Sequence, residues 1–457
     1  MTISILQLFP LYRTYVLYYN ESFLSKEAID VERIIFHVDV NSAFLSWEAV
    51  YRLHHLGGHT DLREIPSAVG GDAKKRHGII LAKSIPAKAY GVKTGETLQE
   101  ASRKCPDLLI VPPHYNLYTR CSHDLMNLLR EYTPDLEQYS IDEAFMDMTG
   151  TDLLWGDPIL LADEIRRRVE DELGFTVNIG ISVNKLLAKM ASDFRKPNLV
   201  HTLFPHEIPS KMWILPVSEL FFVGRASYKK LRTLGITTIG DLAHADKTIL
   251  RHHLKSHGEV IWNFANGRDE SVVERTAPVN KGYGNSTTIA FDVCNEATAF
   301  LVLLSIAECV GMRIRRDGVK IQVVAVGVKT YDLQYTSHQM VLKSATDITH
   351  EIHHAACELF RELWDYKTPI RHLGIHTSRV VDDDCCRQIC LDDLFAEHPI
   401  DYEQLAKADR MSDQIRTRYG IDSVKRASFV SGIPIDAVSG GVSRDKMTVD
   451  YSQELIE

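Results

Sequence analysis

The chain has 457 residues, 45% of them apolar, and a formal net charge of -9. This length allows two to four domains with sizeable cores, and no apolar run reaches the roughly 18 residues of a membrane-spanning helix. The eight cysteines lack regular spacing and no secretory signal is present, so we expect a soluble, cytoplasmic protein with no membrane partner. The net charge argues mildly against nucleic-acid binding, because phosphate contacts favour a basic surface.

Residues 1–32 form a separate N-terminal extension. The segment from Ile5 to Tyr19 is apolar and aromatic, with Arg13 as its only basic residue. Such a segment is a poor signal peptide and is too short to span a membrane. A later translation start would need a non-Met codon, because no Met lies between Met1 and Met126. The sequence leaves open whether the extension is genuine.

From residue 33 to about 205, strand and helix patterns alternate. The run from Ile34 to Val40 is apolar except for His37 and Asp39, and a helical pattern follows it from Ala43. We predict further buried strands at residues 79–81, 108–111 and 175–181, and amphipathic helices at 125–132 and 159–173. Pro197 and Pro205 mark the end of this region.

Three carboxylates stand at the ends of these predicted strands. Asp39 ends the first strand, and Asp142 and Glu143 are adjacent at the start of another. Successive side chains of a strand point to opposite faces, so these two neighbours share a metal only where the strand turns or bulges. A lone Asp-Glu pair is usually a solvated turn, but acids at the ends of buried strands are costly unless paired or metal-bound.

Such a group of carboxylates is the smallest cage for two divalent cations. Oxygen ligands suit Mg²⁺, with Mn²⁺ as a substitute, and two ions roughly 3.5–4 Å apart clamp an in-line phosphoryl displacement. The pattern therefore indicates polymerase or nuclease chemistry.

Four ordered motifs resemble those of the Y-family DNA polymerases: residues 36–44, 87–95, 140–144 and 180–189. The resemblance covers roughly residues 33 to 425. It implies an α+β, multidomain, right-hand polymerase. Its parts would be a ferredoxin-like palm at 33–205 with small fingers inserted at about 49–107, a helix-hairpin-helix thumb at 206–277, a βαββαβ little finger at 278–381 and a tail at 382–457.

The implied activity is template-directed translesion DNA synthesis, with primer-template DNA and deoxynucleoside triphosphates as partners. The resemblance assigns Asp39 and Asp142 to both metals, Glu143 to the catalytic metal and the carbonyl of Val40 to the nucleotide-side metal. The implied nucleotide-binding residues are Asn41, Ser42, Ala43, Phe44, Ile85, Lys88 and Lys185. Phe44 lies five residues after Asp39, the position of the side chain that excludes a 2′-hydroxyl; core packing is the alternative.

The fingers segment departs from the pattern of DNA polymerase IV and its archaeal relatives. Those enzymes have Tyr and Arg where this chain has Ile85 and Lys88, and Ile79 and Leu81 are bulkier than the expected small residues. On these positions the segment resembles the catalytic subunit of bacterial DNA polymerase V and its Gram-positive relatives more closely. Substrate preference and lesion spectrum therefore stay open.

Candidate DNA contacts lie in the predicted thumb and little finger. Gly224 and Arg225 resemble the turn of a helix-hairpin-helix, whose backbone N–H groups bind a phosphate; an ordinary αα-turn is the alternative. The little-finger candidates are Lys281, Asn285, Thr287, Thr288, Lys329, His338 and Lys343. Polar residues on any solvated sheet face look the same.

The tail carries a short pattern that resembles the peptide bound by the bacterial sliding clamp, the beta subunit. Its residues are Gln388, Leu391, Leu394 and Phe395. Such patterns also arise by chance. We expect no zinc at Cys385, Cys386 and Cys390, because a second cysteine pair is missing.

Two other functions compete with a polymerase. A catalytically silent, DNA- and clamp-binding adaptor of the same family would typically lack the acids that this chain retains. A palm-type nucleotide cyclase or two-metal nuclease would not explain the thumb, little finger and clamp peptide.

Overall fold

The computed structural model describes residues 33–71, 78–276, 279–385, 401–430 and 435. Its strands are β1 (Ile35–Val40), β2 (Ser67–Gly70), β3 (Ile80–Lys83), β4 (Leu109–Val111), β5 (Leu136–Gln138), β6 (Glu143–Asp147), β7 (Val177–Ser182), β8 (Val200–Thr202), β9 (Gly284–Val293), β10 (Val319–Thr330), β11 (Tyr335–Thr346) and β12 (Ile370–Asp382).

Its α-helices are α1 (Ala43–His54), α2 (Ile85–Ala89), α3 (Leu98–Lys104), α4 (Tyr115–Arg130), α5 (Asp152–Trp155), α6 (Pro158–Leu173), α7 (Lys185–Ser192), α8 (Arg225–Thr233), α9 (Ile239–His244), α10 (Lys247–Leu254), α11 (Ser256–Ala265), α12 (Glu296–Arg316), α13 (Thr349–Leu363) and α14 (Tyr402–Tyr419).

The first sheet has the strand order β5-β6-β1-β7-β8, with β1 antiparallel to both of its neighbours. Every residue of β1 and β7 is buried, as expected for central strands covered on both faces. Phe36, Val38 and Val40 of β1 pack in one core with α1, α4 and α6. Ile35, on the other face, packs with Ala188 of α7. Because side chains alternate, Asp39 lies on the α7 face.

Helix α7 lies very close to β7. A Cβ atom on Gly180 would overlap the carbonyl oxygen of Ala188, so only glycine permits this approach. The other side of α7 contributes Leu186, Leu187 and Met190 to a core that it shares with the helical region α8–α11. Helix α7 is therefore packed between the first sheet and the helical region.

A small sheet of order β3-β2-β4 lies within residues 67–111, and α2 and α3 pack near it. The second large sheet has the order β11-β10-β12-β9, and its neighbouring strands are all antiparallel. Along the chain its elements follow the order β9-α12-β10-β11-α13-β12, which agrees with the βαββαβ pattern expected from the sequence.

Helix α12 corrects the expectation that no segment is long and apolar enough to span a membrane. Its 21 residues meet that test by length and composition. Its buried residues, among them Val302, Ile306 and Val310, pack in the core of the second sheet. It is the core helix of this domain.

The second large sheet and its helices α12 and α13 are called the second domain below. Helix α14 docks on α12 of this domain through buried ion pairs, which the sequence did not predict. Arg416 donates to Glu308 at 2.6 Å, and Arg315 lies 3.2 Å from Asp409. Arg426 donates to both Glu308 and Asp409. Burial raises the pKa of Glu308, but Arg426 and Arg416 together lower it by more than burial raises it, so the net shift is downward.

We expect Arg416→Met to destabilise the second domain strongly, because it leaves the buried Glu308 with one partner instead of two. Breaking a buried ion pair typically destabilises by about 3–5 kcal/mol. Urea unfolding followed by tryptophan fluorescence, to which Trp364 in this domain's core contributes, measures the effect. Arg418→Met, on the exposed face of the same helix, is the matched control. Equal midpoints for the two variants would contradict the assigned role of the network.

Candidate active site

The three carboxylates meet where β1 ends and β6 begins. Asp39 is buried and lies directly opposite Glu143, the first residue of β6. Asp142 lies in the bend just before that strand, and its carbonyl accepts a hydrogen bond of 3.0 Å from the N–H of Val40. Its carboxylate accepts one of 2.7 Å from the hydroxyl of Ser140. Asp142 thus lies in a bend and Glu143 in the strand that follows it. Two neighbouring side chains can share a metal only where the strand turns in this way.

Two lysines that the sequence analysis missed hold these carboxylates. Lys189 of α7 donates to Oε1 of Glu143, and Lys196 donates to Oδ2 of Asp39 and to Asp193 at 2.8 Å. Lys189 lies four residues after Lys185, so the two lysines share one face of the same short helix. This spacing is the sequence signal that could have identified Lys189 as a site residue. Lys196 directly precedes Pro197, and nothing in the local sequence singles it out.

The electrostatics of the cluster are dominated by burial. Burial raises the pKa of Asp39 to about 6; Lys196 opposes this rise, and Glu143 and Asp142 add to it. Burial would lower the pKa of Lys196, but Asp39 and Asp193 raise it overall. The pKa of His37 is held well below 6.5 by burial and then by Lys189 and Lys196. His37 is therefore neutral at physiological pH and supplies no further cation.

The residues present fit divalent metal ions. Carboxylate oxygens are the ligands that such cations prefer, and three of them, from Asp39, Asp142 and Glu143, meet where β1 ends and β6 begins. As the side chains stand, no group of three or more His, Cys, Asp or Glu in the described ranges is arranged to hold a metal. In this arrangement Asp39 and Glu143 are each paired with the ammonium group of a lysine.

The segment after β1 forms the turn into α1. Ser42 has left-handed dihedral angles (φ 49°, ψ 48°) and makes no side-chain cap, so the first N–H groups of α1 are not capped by it. Asn41 makes hydrogen bonds that hold the backbone of this turn. Its N–H donates to the carbonyl of Thr176, and its side-chain oxygen accepts from the hydroxyl of Thr176 and from the N–H of Asn198. Phe44 is partly exposed and stacks on Tyr118 at 4.5 Å.

The predicted nucleotide-binding residues of the fingers lie on helix α2, next to the small sheet. Ile85 begins α2 and is 58% exposed, and Lys88 is exposed near the end of that helix. Lys83, which the sequence analysis did not single out, lies nearby. Burial and then the charge of Lys88 lower the pKa of Lys83, so the two ammonium groups interact.

Lys185 is engaged away from Asp39 and Asp142. Its ammonium group donates to both carboxylate oxygens of Glu137, at 2.8 and 2.6 Å, and to the carbonyl of Val272 at 3.3 Å. It also lies 4.9 Å from the ring centre of Phe145. In this arrangement it joins α7 to β5 and to the segment that leaves the helical region.

Three of the candidate DNA contacts on the second sheet lie on the face that the helices cover, not on its open face. Asn285 and Thr287 pair with Ile375 and Leu373, two core residues, so by alternation their side chains face the helices. Asn285 is buried and donates to Cys309. His338 also lies on the helix face and interacts with Glu362 of α13 at 2.7 Å.

The open face of this sheet carries Lys329 and Thr288, which share the neighbour His372. Lys281 is exposed just before β9. In the helical region, Gly224 is the N-cap of α8 with open space around it, and Arg225 is exposed. The predicted clamp peptide, residues 388–395, and Cys386 and Cys390 lie outside the described residues.

Comparison with known proteins identifies the family. The model of the impB/mucB/samB family matches residues 38–193, and that of its C-terminal domain matches residues 280–391. The chain is 43% identical over 397 residues to DNA polymerase IV of Clostridium acetobutylicum, covering 87% of this chain and 98% of the relative. It is 34% identical over 401 residues to DNA polymerase IV 1 of Bacillus subtilis, covering 87% and 93%.

A solved structure, the Y-family DNA polymerase chimera Dbh-Dpo4(243-245)-Dbh, shares the fold. The TM-score is 0.65 at 22% identity, over 76% of this chain and 99% of the chimera. The chain therefore belongs to the impB/mucB/samB family, the Y family of DNA polymerases. The relatives named above place it with DNA polymerase IV.

The predicted likeness to DNA polymerase V is not supported. It rested on a few fingers positions, whereas the similarity to DNA polymerase IV extends over nearly the whole of the relatives. Ile79 and Ile85 are 43% and 58% exposed, and exposed positions accept substitution without disturbing a core. They are weak markers of a subgroup.

The raised pKa of Asp39 predicts that this residue destabilises the metal-free protein. Since its folded pKa is about 6 rather than 3.8, its contribution to stability is present below pH 4 and is lost as the pH rises through 6. Asp39→Asn should therefore raise the free energy of unfolding at pH 7.5 in EDTA by on the order of 2 kcal/mol, and change it little at pH 4.

Thermal unfolding at the two pH values measures this difference. Asp193→Asn removes the more exposed partner of Lys196 and serves as the control. A lower melting temperature of Asp39→Asn at pH 7.5 would show that the lysine outweighs burial.

Proposed function

We propose that the protein is a template-directed, translesion DNA polymerase that acts in DNA repair in the bacterial cytoplasm. Asp39, Asp142 and Glu143 would hold two Mg²⁺ ions, with Mn²⁺ as a substitute, and the carbonyl of Val40 would contribute to the nucleotide side. When bound, such ions activate the primer 3′-hydroxyl and neutralise charge on the phosphates. The observation that supports this most is the position of Asp39 opposite Glu143, with Asp142 in the adjoining bend.

The protein's own groups bind and orient the substrate. The uncapped N–H groups of Ala43 and Phe44 at the start of α1 offer an anion site next to the carboxylates. Lys196 already lies beside Asp39, and its ammonium group becomes available for a triphosphate once cations neutralise the acid. We assign this role to Lys196 in preference to Lys185, whose ammonium group is tied to Glu137.

Lys189 has a different role. It is buried, it donates to Glu143, and the rings of Tyr139 and Phe221 lie 5.5 and 5.4 Å from its ammonium group. Aromatic faces attract a cation and restrict its position. Lys189 therefore orients the carboxylate of Glu143, while Lys83 and Lys88 carry positive charge on the fingers side.

The rest of the chain would hold the DNA. We propose that residues 33–205 are the palm with fingers at about 49–107, residues 206–277 the thumb, and residues 278–381 the little finger. Gly224 and Arg225 would bind a backbone phosphate, and Lys281 and Lys329 would contact the backbone from the open face of the second sheet. Gln388, Leu391, Leu394 and Phe395 would bind the beta clamp.

Asp142→Ala and Glu143→Ala test the function. Each should abolish primer extension and leave DNA binding nearly unchanged, because each removes a metal ligand and no phosphate contact. Primer extension on undamaged and lesion-bearing templates, with binding measured by fluorescence anisotropy, gives both results. Extension at the wild-type rate by either variant would refute the two-metal assignment.

Lys196→Ala and Lys185→Ala separate the two lysines. If Lys196 binds the triphosphate, its removal raises KM for deoxynucleotides by about tenfold or more, as expected for a charged hydrogen bond worth about 1.5–3 kcal/mol. Lys185→Ala should instead lower thermal stability and change KM little, because it breaks the Glu137 pair. The reverse pattern would return the role to Lys185.

Phe44→Ala tests the sugar gate. The ring is held by its stack on Tyr118 at 4.5 Å, so its truncation removes a fixed steric barrier. Incorporation of ribonucleotides relative to deoxynucleotides should rise on a single template. Phe36→Leu, a conservative change in the palm core, controls for general loosening. An unchanged ratio would mean that Phe44 only packs.

A further inference from the structure

Glu48 is a buried acid that the proposed chemistry does not use. It lies on α1, four residues after Phe44, and is fully buried. Its Oε1 accepts a hydrogen bond of 2.7 Å from the hydroxyl of Tyr118, and Nδ1 of His114 lies 2.7 Å from the same oxygen. Its Oε2 lies 3.6 Å from Nε of Arg52 and has no hydrogen-bond partner in the described part of the chain. A single oxygen of this acid therefore joins α1 to the beginning of α4.

Packing alone does not call for an acid at this position. The other buried residues of α1 are apolar except for Ser46. A buried carboxylate is costly unless hydrogen bonds compensate the lost hydration, and hydrogen bonds to an ionised group are the strong ones. The contacts of Glu48 with α4 are thus the feature that explains why the acid is here.

Tyr118, the donor to Glu48, is also the ring on which Phe44 stacks. The two ring centres are 4.5 Å apart and the ring planes differ by 11°. The rings of Trp47 and Tyr115 surround this pair at centre distances between 5.8 and 6.3 Å. Since Phe44 and Glu48 lie one turn apart on α1, Tyr118 contacts that helix twice, through its ring face and through its hydroxyl.

The hydroxyl contact restricts what the stack alone would allow. Aromatic pairs accept a range of offsets, so one ring can slide over the other. The hydrogen bond to Glu48 fixes one end of the Tyr118 ring and limits that sliding. Burial raises the pKa of Tyr118 and the charge of Glu48 raises it further, so the hydroxyl stays protonated and donates.

We propose that Glu48 is a positioning residue for sugar selection. It holds Tyr118 by the hydroxyl, and Tyr118 in turn holds the ring of Phe44 where a 2′-hydroxyl would collide with it. The proposal rests on the assignment of Phe44 as the sugar gate under the proposed function. It adds that the gate depends on a buried hydrogen bond one helix turn away from the gate itself.

Variants of the full chain test the proposal by the ratio of kcat/KM for ribonucleotides to that for deoxynucleotides. Tyr118→Phe keeps the stacking ring and removes only the hydroxyl, and Glu48→Leu removes the acceptor. Each should raise the ratio by about fivefold, the effect expected for the loss of one hydrogen bond. The double variant should raise it no further, because both changes remove the same contact. Glu48→Gln, whose amide oxygen can still accept from Tyr118, should keep the ratio near that of the wild type.

Leu129→Ala is the control for a general loosening of α4. Leu129 is fully buried on the same helix, three turns beyond Tyr118. Its truncation should lower the melting temperature and leave the ratio unchanged. A rise in the ratio equal to that of Glu48→Leu, at an equal loss of melting temperature, would show that Glu48 is only structural and overturn the proposal.

Phe44→Ala separates a failure of this proposal from a failure of the gate assignment. If Phe44→Ala raises the ratio whereas Tyr118→Phe and Glu48→Leu leave it at the wild-type value, the gate stands and the positioning role is wrong. If Phe44→Ala leaves the ratio unchanged, the gate assignment is wrong and the positioning role falls with it. Tyr118→Phe removes one oxygen atom only, so it decides the question even where Glu48→Leu does not fold.

Discussion

The position of Asp39 directly opposite Glu143 on neighbouring buried strands is the constraint on which the rest of the site depends. Like charges placed opposite each other across a strand pair are destabilising, and burial adds the loss of hydration. The first sheet accepts this arrangement because Lys189 and Lys196 approach from the α7 side. Gly180 permits that approach, since any side chain there would separate α7 from β7. The close approach of α7 brings Lys189 to Glu143, and Lys196, which follows the helix, pairs with Asp39.

Helix α7 also connects this site to the helical region. The side-chain amide of Asn184 donates to the carbonyl of Gly267 at 2.9 Å, and the N–H of Leu186 donates to Asp269 at 3.1 Å. A displacement of the helical region would therefore move the helix that carries Lys189 and with it the partner of Glu143. Asp39 and Glu143 are positioned by β1 and β6, whereas Lys189, the partner of Glu143, lies on a helix that also packs with the helical region.

The sequence was sufficient for the features that depend on local pattern. The strand that carries Asp39, the bend at Asp142 beside Glu143 and the βαββαβ order of the elements around the second large sheet follow from apolar periodicity and ordered motifs. The sequence could not show which of several similar side chains contacts a given partner. Lys185 and Lys196 are both lysines near a motif, and only the fold shows that Glu137 engages the first and Asp39 the second. The face of Asn285 required the register with Ile375, since a shift of one residue exchanges the faces of a strand.

Helix α14 shows how charge specifies an orientation that apolar packing alone would leave loose. Glu308 and Arg315 are seven residues apart on α12, two turns on one face, and Asp409 and Arg416 are seven apart on α14. Glu308 pairs with Arg416 and Arg315 with Asp409, so the two helices run in opposite directions. In the parallel orientation Glu308 would face Asp409 and Arg315 would face Arg416, two buried like-charge contacts. Replacing a buried ion pair with apolar residues often preserves stability. Here the replacement would also remove the preference for the antiparallel orientation of the two helices.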